Sequence, residues 1–119
     1  MSISAKPLRT MFFIGINQNF HDLALPDAGA IIKTFIAALD DLKGRFGIEV
    51  LGTFDDDQMM VGPSEGWPWT AYILADVPDL DTVIAVCNIF RETPAGDGQL
   101  WKYARIQARV GRILMSGNS

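Results

Sequence analysis

The stretch LWKYARIQARVGRIL, residues 100–114, decides how the rest of the chain is read. Trp101, Tyr103, Arg105, Gln107 and Arg109 fall on one side of an extended ribbon, and Ala104, Ile106, Ala108 and Val110 on the other. Strands alternate faces residue by residue, whereas a helix returns to one face every three or four positions. The unbroken alternation therefore predicts a strand; the alternative, a helix, would scatter Arg105, Arg109 and Arg112 along one side. One face of that strand is small and apolar, suited to accept helices. The other carries an indole, a phenol and two guanidinium groups.

Upstream of this strand the chain alternates between strands and helices. TPAGDG (residues 93–98) is a breaker. Before it, Pro78 and then Asp79 or Asp81 open a helix in which Leu80, Val83, Ile84, Cys87 and Phe90 or Ile89 keep the helical step. WTAYILA (69–75) reads as the third strand and IEVLGTF (48–54) as the second. Residues 55–68 hold three aspartates, two methionines, two glycines and two prolines, and read as a long irregular connection with room for a short strand at 58–61. From Asp27, Ile31, Ile32, Phe35, Ile36, Leu39, Leu42 and Phe46 mark one helix. Asp27 is its expected N-cap after Pro26, Gly47 its expected end, and Lys43 and Arg45 suit its C-terminal dipole. MFFIGINQN (11–19) reads as the first strand, residues 20–26 as a loop, and residues 1–10 as a loose arm.

The order is β-α-β-β-α-β. It predicts an α+β, ferredoxin-like domain over residues 11–115, with an antiparallel sheet and two helices on one face. A chain of 119 residues suits one domain, and 49% hydrophobic with 20% charged residues excludes wholesale disorder. A single cysteine forms no internal disulfide, and one histidine with one cysteine cannot build a Cys/His zinc cage, which leaves at most a carboxylate-rich metal site; none is expected. The net charge of −4 opposes broad binding to nucleic acid or an anionic membrane. No apolar stretch reaches the roughly 18 residues of a spanning helix. A free cysteine behind a polar N-terminus without a signal-like segment suits a reducing cytoplasm.

The faces can be assigned. Phe12, Ile14 and Ile16 of the first strand, with Trp69, Ala71 and Ile73 of the third, are expected under the helices. Phe13, Gly15, Asn17, Asn19, Thr70, Tyr72 and Leu74 are expected on the open face with the residues of the last strand named first. Soluble monomers rarely expose so large an apolar patch. A second copy is the simplest cover, since two-fold homodimers are the commonest oligomers, and two such sheets would enclose a cavity.

Each chemically capable residue carries a sharp reading and a plain one. His21 is the chain's one histidine, the side-chain type suited to proton transfer near neutrality, so it is either a general acid or base at the pocket mouth or a solvated loop residue. Asn17 either binds an oxyanion or ends the strand. Arg105 and Arg109 either hold a substrate carboxylate or pair with acids across a seam. Trp67, Tyr72, Trp101 and Tyr103 either stack on a planar ligand, with the phenols as donors, or pack. The expected catalytic set is His21, Asn17 and Tyr72, and the expected substrate-binding set is Trp101, Tyr103, Arg105, Arg109 and Trp67. Asp55, Asp56 and Asp57 lack the spacing of a calcium loop and read as a solvated turn. Glu65 is a possible acid on a lid, and Cys87 reads as packing.

The β-α-β-β-α-β order and the long last strand ending in Ala-Arg-Val-Gly-Arg resemble the dimeric α+β barrel superfamily. Its members include small monooxygenases without a cofactor and muconolactone-isomerase-like proteins. The resemblance covers residues 11–114, is one of topology, and carries no catalytic motif residue by residue. Residues 100–114 also resemble small accessory proteins encoded with bacterial indole-acetate or other aromatic catabolism. The resemblance implies a homodimer with a small-molecule pocket in each half, and it implies no particular reaction. The resulting expectation is a cofactor-independent enzyme of aromatic or secondary-metabolite catabolism, doing monooxygenase, isomerase or proton-transfer chemistry on a small anionic aromatic molecule. The alternatives are a non-catalytic binding or accessory protein and a purely structural interaction module.

Overall fold

Four strands pair into one antiparallel sheet in the order β2-β3-β1-β6, as seen in a computed structural model that describes residues 7–63 and 66–114. The strands are β1 (Leu8–Ile16), β2 (Glu49–Asp55), β3 (Ala71–Val77) and β6 (Ala104–Gly111). Helices α1 (Gln18–His21), α2 (Leu25–Ala38) and α3 (Leu42–Phe46) separate β1 from β2, and α4 (Leu80–Glu92) follows β3. A two-stranded hairpin, β4 (Pro94–Ala95) with β5 (Gly98–Gln99), and a 3-10 turn (Leu100–Lys102) lead into β6. This α+β arrangement is compatible with a ferredoxin-like fold. No helix among the described residues is long and apolar enough to cross a membrane.

Alternation along the strands builds the core. Phe12 pairs with Ile73 and Ala108, and Ile14 with Ala71 and Ile106, so one face of the sheet is continuously apolar. Ile31 and Ala38 of α2 and Val83, Val86, Ile89 and Phe90 of α4 pack on that face in a single cluster. The two helices meet where the Phe35 ring sets its edge on Phe90, with centroids 5.3 Å apart. Thr10 is fully buried in this face, and its hydroxyl donates to the Leu8 carbonyl (3.0 Å).

Several sequence expectations are corrected. The arm is shorter than residues 1–10, because Leu8, Arg9 and Thr10 belong to β1; Arg9 Nε donates to Asp76 Oδ1 (2.6 Å) on the neighbouring strand. Its residues 1–6, like Met115 at the other boundary, lie outside the described residues. The first strand ends at Ile16, and the residues read as its tail and the following loop form α1. The helix expected from Asp27 to Phe46 is two helices. Asp41 takes a left-handed φ of 51°, its carboxylate accepts from Gly44 N–H (3.1 Å), and α3 starts afresh. Arg45 Nη1 then donates to the free carbonyls of Ala38 (2.7 Å) and Asp40 (2.8 Å) at the end of α2. Asp27 lies in the first turn of α2, and Ala24 is the cap; Gly47 does end α3, with φ 70°. No strand forms at residues 58–61.

The last correction matters most for the site. The extended ribbon begins at Ala104, not Leu100. Leu100 is fully buried and anchors a 3-10 turn, which breaks the alternation just where Trp101 and Tyr103 were counted into it. Tyr103 is only 4% exposed and joins the helix-side core, and Trp101 stays half exposed outside it.

Candidate functional site

The open face is organised by cross-strand registry. Phe54 pairs with Tyr72, Tyr72 with Phe13 and Phe13 with Gln107, making one row across all four strands. The Phe54 and Tyr72 rings stack (4.7 Å, 26°), and Phe13 meets Tyr72 edge-on (5.7 Å, 84°). Offset-stacked and edge-on contacts suit the quadrupoles of aromatic rings. The next row runs Gly52, Leu74, Met11 and Arg109.

Residues 66–70 return across this face as a strap. Trp67 sets its ring edge-on to Phe13 (5.8 Å, 77°), and its indole N–H donates to the Tyr72 hydroxyl (2.9 Å). Trp69 also packs by Phe13 (6.1 Å) rather than under the helices, so its assignment to the helix side is corrected. Between the two indoles, Pro68 lies over Gly15, where an added Cβ would stand 2.5 Å from the Pro68 carbonyl oxygen. The glycine is what lets the strap lie flat on the sheet.

Tyr72 is the hub of the face. It is 8% exposed; its oxygen accepts from Trp67, and its one hydrogen is shared between Asp56 Oδ2 (3.0 Å) and the Trp69 carbonyl (3.2 Å). Burial raises the phenol's pKa above its ordinary value; the Trp67 bond opposes this and the Asp56 carboxylate adds to it. Tyr72 is therefore a protonated donor at neutral pH, with its hydroxyl committed to its own chain.

The arginines flank the aromatic row. Arg109 lies 6.0 Å from the Phe13 ring, and the Gln107 amide oxygen, turned toward it, accepts from its guanidinium. Arg105 donates from Nε to Asn17 Oδ1 (3.0 Å). Neither arginine has a carboxylate in ion-pair range among the described residues. Asn17 is a clamp: its Nδ2 donates to the carbonyls of Trp101 (3.1 Å) and Lys102 (3.3 Å), and its main-chain N–H to Tyr103 (2.8 Å). Its amide hydrogens, expected to meet an oxyanion, are taken by main-chain carbonyls.

Tyr72, Trp67 and Arg109 thus come together on the open face, with Arg105 at its edge. His21 does not join them. It is exposed on α1 with its ring against Phe20 (5.8 Å), while the adjacent Asp22 accepts from Gln18 (2.9 Å). Tyr103 donates to Asp97 Oδ1 (3.3 Å) on the far side of the sheet, where Asp97 also pairs with Lys102 (2.7 Å). A cleft of about 510 Å³ there has Asp22, Asp27 and Asp97 on its walls, and His21 is not among its lining residues. Glu65 lies outside the described residues. No group of three or more His, Cys, Asp or Glu side chains among the described residues is placed to hold a metal ion.

Trp101 meets Arg105 after all, but at the free edge of β6. A notch of about 270 Å³ is lined by both, together with Cys87, Asn88 and Arg91 of α4. The Arg91 guanidinium lies 5.0 Å from the Trp101 ring centroid. Phe54, Asn88 and Arg91 were not singled out from sequence, and Asp56, read there as part of a solvated turn, instead accepts from the Tyr72 hydroxyl. The period of α4 places Asn88 and Arg91 one turn apart on one side of it; Phe54 carried no such signal, for a reason that lies in β2.

No family model matches the chain, and no curated protein and no solved structure matches it.

Proposed function

We propose that the protein binds a small, planar, anionic molecule on the open sheet face, in a chamber completed by the same face of a second copy. The observation that carries this reading is an aromatic row left half open beside cations that have no carboxylate partner among the described residues. Phe54 is 56% and Trp67 53% exposed on a surface that also holds Phe13, Tyr72 and Arg109. Planar rings supply stacking area, and a desolvated guanidinium seeks a carboxylate it can grip with two hydrogen bonds. A second copy supports the chamber because a lone sheet leaves this surface in water.

Within this reading the protein is a binder rather than a catalyst. Tyr72 keeps its proton, and His21 stands away from the face. Neither is positioned as a base for a ligand lying on Phe13. The organic anion meets Arg109 and the exposed edge of the Trp67 indole.

Titration with 2-naphthoate, followed through the indole N–H resonance of Trp67, tests it. We expect saturable shifts at Trp67 and a loss of affinity of about tenfold or more in Arg109→Gln, the loss typical of a charge-assisted hydrogen bond. Absence of saturation, or unchanged affinity in that variant, contradicts the reading.

A further inference from the structure

The notch at the free edge of β6 has a composition unlike the rest of this acidic chain. Its floor is apolar, from Phe90, Ala104 and Ile106, and both charged groups on its wall, Arg91 and Arg105, are cations. Neither arginine has a carboxylate in ion-pair range among the described residues. Both are oriented by a neighbour that does not neutralise them: Arg91 rests on the Trp101 ring and Arg105 is held at Nε by the Asn17 amide oxygen.

The sheet adds donors of its own. The Ile14 carbonyl accepts from Thr70 on the β3 side, whereas Asn17 N–H donates to Tyr103 on the β6 side. Even-numbered residues of β1 therefore bond toward β3 and odd-numbered ones toward β6. Odd residues of β1 pair with Arg105, Gln107 and Arg109, so the main-chain groups of Ala104 and Ile106 point outward into the notch. Asn88 contributes a side-chain amide from α4.

We propose that this notch is a second small-molecule site, for a compact monocarboxylate. Its carboxylate sits between Arg91 and Arg105 within reach of the Ile106 N–H, and its carbon skeleton lies on Phe90, Ala104 and Ile106. Ligand sites are typically concave and apolar with a few convergent polar groups, and a volume of about 270 Å³ falls just below their usual range of roughly 300–1,000 Å³. That size takes a single ring or a short chain. The site does not depend on the open face or on a second copy.

The probe is benzoate, with benzamide as its uncharged counterpart, in a titration of the 119-residue chain observed by proton–nitrogen NMR. Saturable shifts are expected at the Trp101 indole N–H and the Ile106 amide, with none of comparable size from benzamide. Arg91→Gln, on an exposed position of α4, should weaken benzoate about tenfold or more. Lys33→Gln, which removes the same charge from α2, should leave the affinity unchanged. Arg91→Glu should abolish binding, and retained helical circular dichroism in both Arg91 variants keeps the result interpretable. No saturation by benzoate, equal binding of benzamide, or indifference to Arg91→Gln overturns the proposal. Shifts confined to Trp67 would likewise overturn it and point instead to the open face, so the two sites are told apart by which indole responds.

Discussion

Gly15 shows how one missing side chain shapes the candidate site. Its pairing with Arg105 puts it on the open face, and Pro68 crosses directly above it. A methyl group there would collide with a main-chain carbonyl, which cannot swing aside as a long side chain can. Gly15→Ala should therefore lift the strap, cost about 1–3 kcal/mol of stability, and release the Trp67 indole N–H from Tyr72. Chemical denaturation together with the Trp67 indole resonance checks both effects. Gly111→Ala, where nothing lies within 4 Å of the added carbon, is the control expected to leave the strap in place. Asn17 belongs to the same scale. It was legible as an odd polar residue at a strand end, but its partners were not, because they are carbonyls more than eighty positions away.

At the scale of elements, a β-bulge decides the faces of β2. Val50 pairs with Ala75 on the helix face, but Gly52 pairs with Leu74 and Phe54 with Tyr72 on the open face. A regular strand would put all three on one side. The bulge shifts the phase by one residue and sends Phe54 into the aromatic row. Alternation alone cannot announce a bulge, so Phe54 was invisible to a reading based on period, although Gly52 in mid-strand hinted at one. β1, β3 and the body of β6 have regular phases, and their faces were readable: Phe12, Ile14 and Ile73 pack under the helices, and Phe13, Tyr72 and Leu74 lie opposite. Residues 100–103 fooled the same test because a single 3-10 turn leaves an alternating polar pattern intact while turning its side chains off the ribbon. The break at Asp41 was hidden for a related reason, since the apolar stripe continues from α2 into α3.

The start of α4 was legible, as Asp after Pro, and its physics is explicit. Asp79 Oδ1 accepts from the Thr82 hydroxyl (2.7 Å) and main-chain N–H (2.8 Å). Those bonds, the hydroxyl's first, hold the carboxyl below its ordinary value of 3.8. A lowered folded-state pKa stabilises the protein above the ordinary carboxylate value and loses that contribution as pH falls through and below 3.8. Asp79→Ala should therefore lower the thermal midpoint at pH 7 and narrow its gap from the wild type in acid. Melting curves at pH 7 and pH 3 measure the two gaps, and equal gaps would contradict the capping account.

For the whole molecule, the two sides of the sheet pose different questions. On the helix side, α2 carries more apolar surface than the core uses. Ile32 stays 47% and Ile36 63% exposed, with a groove of about 690 Å³ running from α2 to β2. Helical period predicted the stripe correctly but could not say how much of its width the sheet would cover. On the open side, the strap and the aromatic row close over Tyr72 yet leave Phe54 and Trp67 in water in a single chain. The proposed chamber depends on a second copy covering them.

Sedimentation equilibrium of the wild-type chain and of Trp67→Glu tests that dependence most directly. The proposal predicts a wild-type mass twice the 13.1 kDa of the chain, falling to 13.1 kDa in the variant while its helical signal persists. A wild-type protein that sediments at 13.1 kDa at concentrations where the ligand binds would contradict it.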